Sequence, residues 1–181
     1  GLGDVYKRQA LISALINQTQ TLTGGPKMSE ERTQQQRKMV EDWYEALATG
    51  EGEAMLALQQ DDVIYNIHGS TPVSGRFQGK QTLVEDIFPK VMGMLQMDSF
   101  KFCTKCKIVC ADEHRVVAFM QADGHALNGV RYNQTYCHMF GFRDGMIAEV
   151  WEFFDSVLAE KALNNNSLSK PTEAPAQAFD F

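Results

Sequence analysis

Five polar residues stand in otherwise apolar segments, and their side chains suit acid–base chemistry. Asp123, His138 and Asp155 are the candidate catalytic groups, because carboxyl and imidazole groups accept and release protons. A histidine titrates near neutral pH, which favours His138 as a proton-transfer group. Tyr65 and Tyr136 carry phenolic hydroxyl groups of the kind that position a ligand. Together these residues predict an acid–base site.

Each candidate also has a purely structural interpretation. His138 shares a strand face with Tyr136, so it is either a proton-transfer group or a buried histidine bonded to a neighbour. Asp123 precedes Gly124, which is typical of an aspartate in a turn at the end of a strand. Asp155 stands where a helix begins, and its carboxylate is expected to cap that helix while its other oxygen faces the pocket.

The elements that must position these groups begin with helices. Apolar residues at helical spacing predict helices over residues 29–49, 53–59 and 80 to about 97, and Pro89 is expected to kink the last one. A strand over 63–68 and a loop over 69–79 separate the second helix from the third. His68 ends that strand and is predicted to be a loop residue.

The second half of the chain is rich in predicted strands, over residues 100–111, 115–126, 131–143 and 146–154. Asp144-Gly145 predicts a tight hairpin turn between the last two strands. A helix over 155–163 closes the domain. Helices followed by an antiparallel meander predict an α+β fold with the helices on one face of the sheet. The strands are apolar on both faces, so we expect a homodimer through the outer face.

The chain divides into three predicted segments. Residues 4–9 resemble a translated sequencing adapter, so the leader over 1–27 is predicted to contribute nothing to the fold, and its deletion should leave the melting temperature unchanged. Residues 28–163 form the domain. Residues 164–181 contain two prolines and few apolar groups, which predicts a disordered tail.

Composition narrows the function classes. The 181 residues are 44% hydrophobic and 22% charged, with a net charge of −6, which argues against nucleic-acid binding. No apolar run approaches the roughly 20 residues of a membrane span. Cys103 and Cys106 form a C-x-x-C in a predicted strand and lack a second ligand pair, so no metal site is expected. With Cys110 and Cys137 they are interpreted as small core residues kept reduced in the cytoplasm.

Two regions of the sequence, residues 132–155 and residues 69–80, resemble a known family. Tyr-Asn-Gln-Thr-Tyr at 132–136, Asp-Gly-Met-Ile at 144–147 and Trp-Glu-Phe-Phe-Asp at 151–155 resemble the C-terminal part of SnoaL-like, or polyketide-cyclase-like, proteins of the nuclear transport factor 2-like superfamily. The glycine-rich stretch over 69–80 resembles the loop after the first strand in that family. The resemblance implies a curved, cone-shaped, mixed or antiparallel sheet wrapped on N-terminal helices around an apolar pocket.

The resemblance also allows three catalytic sets to be compared with this chain. The steroid isomerases of this superfamily use a tyrosine and two aspartates, where this chain has Trp43, Ile67 and His138, so that chemistry is excluded. The epoxide hydrolases use an Asp–Arg–Asp set, whose aspartates correspond to Asp123 and Asp155. Gln121 stands at their arginine position. Their tyrosine corresponds to Tyr65, and Ile67 again replaces a polar residue. Cyclase-like members use one acid or base in an apolar pocket.

Two hypotheses remain. The first is a cofactor-free acid–base enzyme, an isomerase, cyclase or hydrolase, acting on a small apolar molecule. The second is a non-catalytic ligand-binding or dimerisation module. They differ in whether the five polar side chains converge in one cavity. If the side chains converge, one carboxyl of the Asp123–Asp155 pair should hold a proton near neutral pH, or share it with His138. The predicted ligand-binding residues are Tyr65, Gln121, Tyr136, Trp43 and Trp151.

Overall fold

The computed structural model describes residues 26–167, with side chains from residue 29 onward. Residues 1–25 of the predicted leader and 168–181 of the predicted tail lie outside the described residues. Pro26 and Lys27 belong to the first helix, which therefore begins three residues before the predicted start. The expectation that the leader can be deleted stays a prediction.

Helix α1, Pro26–Thr49, supplies one buried face to the core. Val40, Trp43 and Tyr44 lie on that face because residues three and four apart meet on one side of a helix. Gly50 ends the helix in a left-handed conformation with φ of 78°. Helix α2, Gly52–Ala57, is shorter than predicted.

The first strand is longer than the sequence predicted, and it has a partner strand that was not predicted. Strand β1, Gln59–Ile67, begins four residues early, because Gln59 already pairs with Ile147 of the last strand. The predicted loop contains strand β2, Gly75–Gln78, which pairs antiparallel with β1. A four-residue edge strand is too short to show an alternating pattern, so this error has a simple cause. His68 lies just after β1 and is exposed, as predicted.

The third helical segment contains a wide turn before its proline. It consists of helix α3, Lys80–Thr82, a π-helical turn, Leu83–Ile87, and helix α4, Phe88–Met92. The Phe88 amide donates to the Leu83 carbonyl oxygen five residues back. A wider turn at this point relieves the clash between a proline ring and the preceding turn. The segment ends at Met92, five residues earlier than predicted, and Gly93 follows it.

Four strands form the predicted meander: β3, Lys101–Ala111; β4, Arg115–Asp123; β5, Thr135–Arg143; and β6, Met146–Phe154. The predicted extensions of β4 to 126 and of β5 back to 131 are wrong. That stretch is irregular, with isolated bridges joining His125 to Arg131 and Leu95 to Ala126. The Asp144-Gly145 turn is confirmed, with φ values of 53° and 74°. Helix α5, Ser156–Ala162, closes the fold.

The strand order of the six-stranded sheet is β2-β1-β6-β5-β4-β3. Strand β1 runs parallel to β6, and the other neighbours are antiparallel, so the sheet is mixed. The inner face, which packs against α1, carries Val116, Ala118 and Met120 of β4 opposite Phe140, His138 and Tyr136 of β5. The outer face carries the alternate residues, Val117, Phe119, Gln121 and Asp123 of β4.

The centre of the inner face is packed rather than open. Trp43 contacts Phe140 edge to face at a ring-centroid distance of 5.4 Å, and Tyr44 contacts the same ring at 5.9 Å. All three side chains are buried. The predicted apolar pocket is therefore filled at this position by aromatic side chains.

Candidate functional site

A hydrogen-bonded chain of three side chains crosses the inner face. His138 is only 1% exposed, and both of its ring nitrogens have partners. The Tyr44 hydroxyl lies 2.9 Å from Nδ1, and Oε2 of Glu152 lies 3.0 Å from Nε2. Helix α1 supplies Tyr44, while β5 and β6 supply the paired residues His138 and Glu152. The fold thus joins three distant parts of the sequence in one polar chain.

The chemistry of the partners defines where the proton on His138 lies. An ionised carboxylate only accepts hydrogen bonds. When Glu152 is ionised, Nε2 of His138 therefore carries a hydrogen and donates a hydrogen bond to the carboxylate. Burial raises the pKa of Tyr44 well above its usual value, with a smaller contribution from Cys106 and other acidic groups nearby. Tyr44 therefore keeps its proton and donates to Nδ1 when His138 is neutral. A second proton on the imidazole would reverse that hydrogen bond.

Glu152 is the end of this chain that solvent reaches. Its side chain is 21% exposed, whereas His138 behind it is buried. Burial is the main cause that raises the pKa values of four tyrosines, Tyr44, Tyr65, Tyr132 and Tyr136, and the negative charge of Glu152 adds to it in each case.

Aromatic side chains border Glu152. The Tyr136 ring stacks on His138 with a centroid distance of 5.7 Å and an interplanar angle of 7°. Its hydroxyl donates to that of Tyr132 at 3.3 Å. Phe154 lies 6.0 Å from Tyr136 and, like it, is partly exposed. The surface beside the carboxylate is thus mainly apolar and aromatic.

Tyr65 lies on the same face but bonds elsewhere. Its hydroxyl donates to Oε1 of buried Gln59 at 2.8 Å, and burial raises its pKa strongly. Nε1 of Trp43 is buried without a hydrogen-bond partner. It nevertheless lies close enough to the Tyr65 hydroxyl to oppose that rise in pKa. Trp43 is therefore a core residue with one unsatisfied donor.

Asp123 lies on the outer face and is held by an arginine that the sequence comparison did not identify. Its two oxygens accept from Nε and Nη2 of Arg131 at 2.9 and 2.8 Å. The Arg131 guanidinium lowers the pKa of Asp123. Asp123 is therefore not the member of the Asp123–Asp155 pair that would hold a proton near neutral pH, and the rest of that expectation stays a prediction.

Asp155 caps helix α5, as its structural interpretation predicted. Its Oδ1 accepts from the amides of Val157 and Leu158 at 2.9 and 3.1 Å. The buried Gln134 side chain donates to the Asp155 carbonyl oxygen and accepts from its amide. The carboxylate itself is exposed.

Asp123 and Asp155 share a cleft of about 610 Å³, which we call the rim cleft. It opens where β4, β5 and α5 meet and is lined mainly by polar residues, Gln121, Asn133, Thr135 and Lys161 among them. His138, Tyr65 and Tyr136 do not line it. Trp151 lies elsewhere on the outer face, with the Arg115 guanidinium 5.1 Å from its ring centroid.

The five predicted polar side chains therefore occupy two environments. Tyr65, Tyr136 and His138 belong to the inner face, and Asp123 and Asp155 to the rim cleft. The single acid–base site that would combine all five is not formed. The individual roles of these residues stay predictions.

The main omissions of the sequence analysis were Tyr44, as a polar partner of His138, and Glu152. A signal for Glu152 was available, because it lies between Val150 and Phe154 on the same inward face of the strand. A carboxylate at such a position needs a partner. No comparable signal marked Tyr44, which matches the apolar stripe of α1.

The interpretation of the cysteines as core residues is only half right. All four thiols are free, but Cys106 and Cys110 are exposed, whereas Cys103 and Cys137 are partly buried. Residues 26–167 contain no group of three or more histidine, cysteine or acidic side chains arranged to hold a metal ion. Nor does that part of the chain contain a helix long and apolar enough to cross a membrane.

Helices packed on one face of a curved, unclosed mixed sheet define the nuclear transport factor 2-like class of folds. The family model described as a SnoaL-like domain matches residues 40–150, and the chain belongs to that family. The match runs from within α1 into β6 and includes Tyr44 and His138 of the polar chain, whereas Glu152 lies two residues beyond it.

Solved structures support the same fold. An NTF2-like protein from Burkholderia xenovorans LB400 is 21% identical with a TM-score of 0.60, over 73% of this chain and 98% of its own. A candidate polyketide cyclase from Xanthomonas campestris is 23% identical with a TM-score of 0.56, over 70% and 94%. A candidate isomerase from Bacillus subtilis is 18% identical with a TM-score of 0.60, over 75% and 96%. A search of curated protein sequences gave no match.

Proposed function

We propose that this domain is a cofactor-free acid–base enzyme that moves a proton on a small, mostly apolar molecule. The observation that carries the proposal is the chain Tyr44–His138–Glu152, which is buried at one end and partly exposed at the other. Glu152 is the group that meets the substrate, and His138 and Tyr44 position it from behind.

Glu152 is the better candidate base because of access. His138 directs Nε2 to Glu152 and Nδ1 to Tyr44, so neither nitrogen is free for a substrate. The hydrogen bond from His138 holds Oε2 of Glu152 in place, so the carboxylate is oriented to take a proton from a substrate. General acid–base catalysis by one positioned group accelerates a reaction about 100-fold to 10,000-fold.

The aromatic border of Glu152 supports an apolar substrate. Phe154 lies two residues after Glu152 on the same face of β6, and Tyr136 of β5 pairs with Phe154. Removal of a proton from carbon next to a carbonyl group is the step that isomerases and cyclases share. Structural neighbours named as a candidate cyclase and a candidate isomerase fit this reaction class. Four free thiols favour a reducing compartment, which supports the proposal of a cytoplasmic location.

The second candidate function is a non-catalytic ligand-binding or dimerisation module. It is favoured by the separation of the five predicted polar side chains into two environments. The tight packing of Trp43, Tyr44 and Phe140 at the centre of the inner face also favours it. In that case the Tyr44–His138–Glu152 chain serves only to satisfy polar groups inside the core. The two functions differ in whether proton transfer depends on Glu152.

The test begins with a thermal-shift screen of apolar cyclic ketones, since a specific ligand raises the melting temperature. Each binder is then incubated with enzyme in deuterated buffer, and loss of its α-proton signal is followed by NMR. We expect Glu152→Gln to retain binding and to slow the exchange about 100-fold or more.

The matched control is Glu149→Gln. It makes the same change on the same strand, at a carboxylate that accepts from Asn66 at 2.8 Å. It should leave the exchange rate unchanged. Equal exchange rates in wild type and Glu152→Gln would refute the enzymatic proposal and favour the binding module.

A further inference from the structure

The two cysteines of the C-x-x-C sequence lie on the same side of an irregular strand. Residues three apart in a regular strand point to opposite faces and are about 10 Å apart. In β3, however, Lys101 pairs with Asp123 and Lys105 with Gln121, so four steps on β3 oppose two on β4. Cys103 lies inside this bulge. Two extra residues at this point change the direction of its side chain.

Both thiols consequently reach the inner face. Cys103 packs against the core cluster of that face. Cys106 pairs with Met120, whose side chain is buried there. The electrostatics agree with this placement, because Cys106 contributes to raising the pKa of the Cys103 thiol. Both also lie near Tyr44, whose pKa responds to each of them.

The two thiols differ in access. Cys106 is exposed, and Cys103 is partly buried. Burial, reinforced by Cys106, raises the pKa of Cys103 to about 12, so Cys103 stays protonated at neutral pH. Because Cys106 is the more exposed thiol, an oxidant reaches it before it reaches Cys103.

We propose that Cys103 and Cys106 are a reversible oxidation site, which a hydroperoxide converts into an intrachain disulfide. The other two cysteines are not arranged in this way. Cys110 pairs with Val117, and Cys137 pairs with Phe119 on a strand that is not adjacent to β3. The proposal does not depend on the proposed enzymatic function.

The reaction has two balanced steps. The Cys106 sulfur attacks the peroxide, an S–O bond forms, the O–O bond breaks, and the alcohol (water, from hydrogen peroxide) leaves with the thiol proton, so that Cys106 becomes a sulfenic acid. The Cys103 sulfur then attacks the Cys106 sulfur. The S–S bond forms, the S–O bond breaks, and water leaves with the Cys103 proton. The peroxide is reduced by two electrons, and a reducing dithiol later restores both thiols.

The sequence around the pair allows a sharp test. Trypsin cleaves after Lys101, Lys105 and Lys107, which places Cys103 in peptide 102–105 and Cys106 in peptide 106–107. The full-length protein is treated with hydrogen peroxide, free thiols are alkylated, and the digest is analysed by mass spectrometry. We expect a cross-linked peptide that joins residues 102–105 to residues 106–107. Before alkylation, the intact mass of the protein should be lower by about 2 Da. Dithiothreitol should reverse both changes.

Two variants make the outcome decisive. Cys106→Ser should lose the cross-link, whereas the matched control Cys110→Ser/Cys137→Ser should keep it. In Cys103→Ser, we expect dimedone to trap a sulfenic acid at Cys106. A melting curve of each variant checks that it is folded. Sulfinic acid at Cys106 of the wild type without a cross-link, or a disulfide that includes Cys110 or Cys137, would overturn the proposal.

Discussion

The side chain of Gln134 holds both backbone polar groups of Asp155. It donates to the Asp155 carbonyl oxygen at 2.9 Å and accepts from its amide at 3.0 Å. The same Oε1 accepts from the amide of Thr135 at 3.1 Å. Gln134 is 1% exposed, so these bonds are shielded from water. The residue that caps α5 is thereby fixed to the strand region before β5.

We expect Gln134→Leu to be strongly destabilising. A leucine fills a similar volume but leaves the amide and carbonyl groups of Asp155 without partners. Each unpaired buried group costs about 1–3 kcal/mol in the free energy of unfolding. Urea denaturation measures the change. Gln121→Leu, a substitution at a glutamine that is only partly buried, is the control and should cost far less. A small effect at Gln134 would show that water replaces its bonds.

The hydrogen bond between Tyr44 and His138 predicts a non-additive pair of substitutions. Tyr44→Phe leaves Nδ1 of a buried imidazole unpaired and should cost about 1–3 kcal/mol of stability. In a His138→Leu background, Nδ1 is absent, so the same substitution should cost much less. Denaturation of the four proteins measures the coupling. Equal costs in the two backgrounds would mean that the hydroxyl and the imidazole do not interact.

The Asp123–Arg131 ion pair predicts a pH-dependent contribution to stability. Because Arg131 lowers the pKa of Asp123 in the folded state, the contribution is present above the unfolded aspartate pKa of about 3.9. It is lost as the pH falls through the folded value. The melting temperatures of wild type and Arg131→Gln should therefore differ at neutral pH and converge in acid. A difference that persists in strong acid would point to packing of the arginine instead.

Gly124 is predicted to tolerate no side chain. A Cβ atom there would lie 2.8 Å from the Cα of Phe100 and 2.4 Å from its ring. Gly124→Ala should therefore cost about 1–3 kcal/mol or more, as overpacking does. Gly129→Ala is the control, because its Cβ would enter open space and only the positive φ of 82° is unfavourable. Thermal unfolding should show the larger loss at Gly124.

The homodimer stays a prediction, and the outer face allows a direct test of it. Two apolar rows cross β4, β5 and β6: Val117–Met139–Trp151 and Phe119–Cys137–Phe153. Phe153 is 41% exposed. We expect a dimer in sedimentation at micromolar concentration, and a monomer for Phe153→Glu. Val84→Glu, which changes an exposed apolar residue away from the sheet, should stay dimeric. A monomeric wild type would refute the prediction.

The sequence by itself determined most of the fold. Periodic apolar residues located α1 and the four strands of the meander, and Asp144-Gly145 identified the hairpin between β5 and β6. The cap at Asp155 was predictable because capping depends on local geometry. Strand β2 was missed, because pairing with β1 stabilises it more than any local pattern does. The break between β4 and β5 was predicted, but it is longer than expected.

Only the tertiary structure decided the candidate site. His138 was correctly placed on the inner face. Its partners were not identified, because Tyr44 comes from the first helix and Glu152 from the last strand of the sequence. The family resemblance paired Asp123 with Asp155, and both line the rim cleft, but Arg131 reaches Asp123 across an irregular loop. A sequence pattern specifies which way a side chain points along its own strand. Which side chains meet depends on strand order, bulges and loop paths, and those are fixed by packing of the whole chain.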